Sequence, residues 1–159
     1  MHRGILKETF WQNTVYRYII LGCGLFVLLT IAAMLAYPGG NVKEEVTTGY
    51  DFFHNFFSDL GRISVPGGGS NLVSAALFCM ALTLAGLGLV GFFLAFRVFF
   101  LTDRTGQLLS MAGTIVGVIS GLCFVGIAWA PYDVFFDVHY KLVFWAFRTF
   151  LVAVAIYAL

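Results

Sequence analysis

Two short polar segments carry most of the carboxylates of this chain and nearly every side chain that could do chemistry. The first holds Ser58, Asp59 and Arg62, a hydroxyl, a carboxylate and a guanidinium close together in sequence. Asp59 and Arg62 stand three residues apart, a spacing at which a helix pairs opposite charges. The second segment, Pro131 to Lys141, contains Asp133, Asp137 and His139. Two carboxylates and an imidazole suit zinc, manganese or iron, so these three are candidate metal ligands. They lack the HExxH or His-x3-His spacing of a strong metal motif, and no cofactor is strongly implied. His139 is equally fitted to cap a helix by hydrogen bonding, or to carry a proton, since an unperturbed imidazole titrates near ~6.5. Arg148 lies about two turns beyond Lys141 inside an apolar run. An arginine near mid-bilayer costs at least ~2.5–3.5 kcal/mol on insertion scales, so it is expected to face the bundle interior or a wet cavity and to have a partner, for which Asp59 is the candidate. Snorkelling toward the nearer interface is the alternative.

The elements that must position these residues are membrane helices. The chain is 60% hydrophobic and only 11% charged, with mean hydropathy +0.93, against the ~25% charged of soluble domains. A net charge of +1 leaves no field to recruit nucleic acid. Four stretches reach the ~20 apolar residues a spanning helix needs: 18–37, 72–96, 108–130 and about 140–159. The first is too long for the ~7–15-residue core of a signal peptide and reads as a retained span. The expected fold is therefore an all-α, integral membrane helical bundle in a single transmembrane domain. Cys23, Cys79 and Cys123 each lie inside an apolar run without a CxxC pair, and read as small hydrophobes.

Lys and Arg in the flanks set the orientation. Arg3, Lys7, Arg17, Arg97 and Arg104 flank one side, and Lys43, Arg62 and Lys141 the other. The expected N-terminus is cytoplasmic, with both acidic connections on the outer face of a prokaryotic cytoplasmic membrane. Small residues predict the packing: Ser110, Gly113, Gly117 and Gly121, with Ser120 beside them, form a stripe on the third span, and Gly86, Gly88 and Gly91 of the second are expected to meet it. Trp11, Tyr16, Tyr18, Tyr37, Tyr50 and Tyr132 are expected at headgroup level as anchors. The fourth span stops at Tyr157-Ala158-Leu159 with no polar flank, which predicts either a chain that continues beyond Leu159 or a helix that ends at the interface.

The first connection opens on Pro38-Gly39-Gly40-Asn41 and closes on Pro66-Gly67-Gly68-Gly69-Ser70-Asn71, where Ser70 or Asn71 can cap the second span. Between them Phe52, Phe53, Phe56, Phe57 and Leu60 recur at helical spacing, which predicts an interfacial amphipathic helix over residues 50–62. Its polar face, Asp51, His54, Asn55, Ser58, Asp59 and Arg62, reads either as a solvated surface with a cap near Gly61 or as a set whose Ser58, Asp59 and Arg62 turn inward over the bundle.

With these residues placed, the chain resembles a bacterial and archaeal membrane family, domain of unknown function 998. The likeness rests on Ser58-Asp59-Leu60-Gly61, on Asn71 followed by Leu77-Phe78, and on Gly126, Pro131, Asp133 and His139. It covers about residues 38–159. The resemblance implies a bundle usually of six helices, where this sequence supplies four spans, and it carries no established activity. Ser58, Asp59 and His139 are also similar in style to the metal-centred sites of alkaline ceramidases, without that class's paired helical histidines.

Three functions are compatible with the sequence. The first is a membrane protein that binds a lipid headgroup or small polar ligand at its polar face, or packs as an accessory subunit in a larger complex or homo-oligomer. The second is a metal-assisted lipid hydrolase with Asp133, Asp137 and His139 as ligands and Asp59 as base. The third is a proton or ion relay through Asp59, His139 and Arg148. Across these readings the candidate catalytic or binding residues are Ser58, Asp59, Arg62, His139 and Arg148.

Overall fold

A computed structural model describes the backbone of residues 2–159 and the side chains from Thr14 onward. The side chains of Arg3, Lys7 and Trp11 lie outside the described residues. Four long helices dominate: α1 (His2–Ala36), α2 (Leu72–Phe96), α3 (Arg104–Trp129) and α4 (Phe136–Tyr157). Each contains a segment long and apolar enough to cross a membrane, in α1 the segment Thr14–Ala36. The fold is an all-helical bundle suited to a lipid bilayer, with no strand among the described residues beyond an isolated bridge between Ser64 and Ser70. α3 starts four residues earlier than the apolar run suggested, because Asp103 caps it by accepting a hydrogen bond from Gly106 N at 2.5 Å. α4 likewise begins at Phe136 rather than near residue 140, so Asp137 is helical while Asp133 lies in the turn before it.

Each helix packs mainly on its neighbour in sequence, α1 on α2, α2 on α3 and α3 on α4. The α2–α3 crossing is made by glycines. A Cβ on Gly86 would stand 2.6 Å from Gly121 O, and one on Gly121 would stand 2.7 Å from Gly86 O. Backbones approach this closely only where neither residue carries a side chain. Gly117 receives the ring of Phe93, and Gly113 packs against Tyr157 of α4. Gly88 and Gly91 correct the expectation for the second span, since nothing lies within 4 Å of a Cβ on either.

Polar side chains add interhelical bonds where lipid offers no competitor. Ser120 Oγ donates to Ala146 O at 2.8 Å, tying α3 to α4. At the end of the bundle away from the acidic connections, Thr114 Oγ1 lies 2.7 Å from Tyr157 Oη, which donates to Ser110 O at 3.1 Å. Phe93 stacks on Tyr157 with ring centres 6.0 Å apart, bringing α2 to α4 there. The buried apolar core sits at the opposite end, where Ala33, Tyr37, Leu60, Phe78, Leu82, Ile127 and Ala146 pack beneath the connections.

Candidate functional site

The first connection is not the amphipathic helix expected over residues 50–62. Residues 52–55 form a turn, and a single 3-10 helix follows at Phe57–Gly61. Side-chain competition with the helical backbone explains the difference. Asp51 Oδ1 accepts from Phe53 N at 2.9 Å, and Asn55 Oδ1 accepts from Asp51 N at 2.9 Å, closing a local turn. His54 Nδ1 lies 2.7 Å from Asp51 Oδ2, and this bond is the leading cause holding the exposed Asp51 carboxyl below its ordinary pKa. Phe52, Phe53, Phe56 and Phe57 remain exposed, the set expected to face acyl chains.

Asp59 turns inward and is completely buried, as the second reading of that polar face expected. Its Oδ2 accepts from Phe56 N at 2.8 Å and from Asn55 Nδ2 at 3.2 Å. Its Oδ1 has no hydrogen-bond partner among the described residues and lies 3.8 Å from Arg62 Nη1. Arg62 in turn donates from Nε to Ser64 O at 3.0 Å and holds its guanidinium 5.4 Å from the centre of the Tyr132 ring. Around this carboxylate stand two tyrosines. Burial first, and the Asp59 charge second, push the Tyr37 phenol up to about 12 and raise that of Tyr50. Tyr37 is therefore not an interfacial anchor but a buried post, 3% exposed, donating its hydroxyl to Gly40 O at 3.0 Å.

Asn71 fastens this socket to α2. It stands at the N-cap position of α2, but its side chain makes no cap bond. Instead Nδ2 donates to the carbonyls of Asp59, Leu60 and Arg62 at 3.3, 3.2 and 2.9 Å. Ser74 Oγ adds a bond to Leu60 O at 3.1 Å. A 3-10 turn leaves its last carbonyls without partners, as helix ends do, and α2 supplies them from its first turn. Gly61 is needed at the same junction, because a Cβ there would come within 2.8 Å of the Phe78 ring.

The second connection meets the first. The Asp133 carboxylate accepts from Ile63 N and Ser64 N, both at 3.0 Å, and from Ser64 Oγ at 3.3 Å. Asp133 is thereby a strut between the two connections. Asp137 is exposed on α4, and among the described residues no three His, Cys, Asp or Glu side chains converge to hold a metal ion. His139 is 6% exposed, and its Nδ1 lies 2.7 Å from Ala130 O. A carbonyl only accepts, so Nδ1 carries the proton and caps the end of α3, and Nε2 has no hydrogen-bond partner among the described residues.

Arg148 does not reach Asp59. It is exposed on α4, with its guanidinium 3.3 Å from the centre of the Phe144 ring, and has neither ion pair nor side-chain hydrogen bond among the described residues. The desolvated ring contact is worth ~2 kcal/mol, less than the ~2.5–3.5 kcal/mol minimum for placing the charge in hydrocarbon. The expected inward pair fails because α4 turns its His139, Ala146 and Ala153 side toward the bundle, and Arg148 projects from the opposite side.

A cleft of about 1040 Å³ lies between α2 and α4. Phe78, Leu82, Ala85 and Leu89 form one wall, Val143, Phe147, Phe150 and Leu151 the other, and Phe124 and Ile127 of α3 the floor. Its only lining residues with a polar side-chain atom are Ser58, Tyr132, His139 and Tyr140, all at the end that carries the acidic connections. Of the sequence candidates, Ser58 and His139 thus share the cleft, while Asp59 and Arg62 occupy the socket behind it, joined through Tyr132. Asp137 and Arg148 stand apart. Sequence reasoning missed the cleft, whose wall residues are indistinguishable by type from lipid-facing ones, and it missed Asn71 and Asn55 as the builders of the socket. No protein-family model, curated protein or solved structure matches the chain.

Proposed function

We propose that this protein binds an amphipathic lipid, with an acyl chain in the α2–α4 cleft and the headgroup at the mouth formed by Ser58, Tyr132, His139 and Tyr140. The supporting observation is the segregation of the cleft lining: apolar side chains along its length, and polar atoms only at the end where headgroups lie. An apolar volume open to a bilayer fills with hydrocarbon rather than water, and a few placed polar groups then set selectivity. On the orientation read from Lys and Arg, the mouth is on the outer face of the cytoplasmic membrane. His139 Nε2 accepts a headgroup hydroxyl or ammonium proton when neutral and donates to a phosphate when protonated. This reading is preferred to the hydrolase and relay readings because, among the described residues, no three metal-ligating side chains converge and Arg148 projects away from Asp59 and His139.

The test is titration of the protein, reconstituted in nanodiscs, with a pyrene-labelled phospholipid. Ala85→Trp, which fills the cleft from its α2 wall, is expected to weaken saturable binding about tenfold, the scale on which loss of a bound chain's apolar contacts reads out. His139→Gln should alter preference among headgroups with smaller effect on total binding. Saturable binding that Ala85→Trp leaves unchanged overturns the proposal.

A further inference from the structure

We propose that the exposed face of α4 around Arg148 is the docking surface for a transmembrane helix of another protein carrying an aspartate or glutamate near the middle of its span. Arg148 lies within the 22-residue helix Phe136–Tyr157, about 18 Å from the end at the acidic connections and about 14 Å from the other, at the rise of an α-helix. A snorkelling arginine reaches for the nearer interface. This one folds back over Phe144, one turn toward the farther end, with its centre 3.3 Å from the ring. The ring covers one face of the guanidinium and accepts none of its five N–H donors in a directed bond. A lipid phosphate sits at headgroup level and does not meet a guanidinium held at this depth.

None of the 159 residues of this chain supplies a carboxylate there. Its 8 acidic residues are Glu8, Glu44, Glu45, Asp51, Asp59, Asp103, Asp133 and Asp137. Seven lie outside the four spanning segments, and the remaining one, Asp137, is in the first turn of α4. A second copy of these four spans therefore brings no acid to the depth of Arg148 either. Charge complementarity specifies the partner: a helix whose buried carboxylate accepts the guanidinium donors, as ionisable groups inside a membrane usually pair with one another.

The experiment reconstitutes the full chain in phosphatidylcholine liposomes with polyleucine transmembrane peptides bearing a central Asp, Asn or Leu, and reads association by energy transfer. The Asp peptide is expected to bind about tenfold more tightly than the Leu peptide, with the Asn peptide between them. Arg148→Lys should keep the order of preference, and Arg148→Leu, more apolar than the native residue and so compatible with insertion, should abolish it. Equal binding of the three peptides, or a preference that survives Arg148→Leu, overturns the proposal. So does an Arg148-dependent enrichment of phosphatidylglycerol around the protein without peptide preference, which would assign the arginine to a lipid phosphate, or an Arg148-dependent self-association.

Discussion

At the scale of single residues, Asn71 and Asp59 decide how the acidic connection is held. Asn71 offers two N–H bonds to three converging carbonyls, and no residue without an amide or ammonium group replaces it. Asn71→Leu leaves these buried acceptors short of donors and is expected to cost about 3 kcal/mol or more, measured by unfolding in mixed micelles. Asn71→Asp should be worse, because it sets a carboxylate against the same carbonyls. Tyr37 gives a readout of the socket that needs no denaturation. Its folded pKa of about 12 lies above the ordinary 10.0, so its contribution to stability is complete below pH 10 and is lost as pH rises toward 12. Ultraviolet titration of tyrosinate should show a component near pH 12 that Tyr37→Phe deletes, and Asp59→Asn should lower that component by removing the neighbouring negative charge. A Tyr37 signal insensitive to Asp59→Asn would refute the coupling. Asp59 was visible in the sequence as a chemical candidate, and its burial was one of two readings; its second partner, Asn55, was visible only as a member of a polar face. Proximity across a turn is not encoded in helical spacing once side chains replace the backbone ladder.

At the scale of elements, the spans were legible because twenty-odd apolar residues in a row admit one structure in a bilayer, a helix with every backbone group satisfied internally. Helix ends were legible to within a few residues except at the start of α1, which runs back to His2, and the shift at α3 is traceable to the Asp103 cap. The segment 50–62 was not, because its aromatic spacing fits a helix while Asp51 and Asn55 bond their own backbone and break it. The small-residue stripe on α3 was read correctly, yet only one of the three α2 glycines faces it. A direct contrast follows. Gly121→Leu should destabilise the bundle by about 1–3 kcal/mol through overpacking at the crossing, whereas Gly88→Leu and Gly91→Leu, with open space around them, should leave it near the wild type. Thermal unfolding in detergent of the three variants is the check, and equal losses at all three positions would contradict the packing described.

For the whole molecule, helices that pack in sequence order, with α2 meeting α4 through Phe93 and Phe96 against Phe150 and Tyr157, leave α2 and α4 splayed toward the acidic connections. That splay creates the cleft, and no periodicity in one helix could have announced it, because a cleft is a relation between two helices that do not adjoin in sequence. The same arrangement leaves α4 packed on one side only, which is why Arg148 has an exposed setting at all. The Asp133 strut has a consequence for assembly. Its partners Ile63 and Ser64 lie some seventy residues upstream, so during synthesis the first connection, already held to α2 by Asn71 and Ser74, lacks this second tie until the third helix is inserted and the turn after Pro131 follows it. A protease that cuts after Arg62 should therefore cleave nascent chains that stop within α3 and spare those that extend through Asp133. The carboxylate is then the tie that makes the two hairpins one structure.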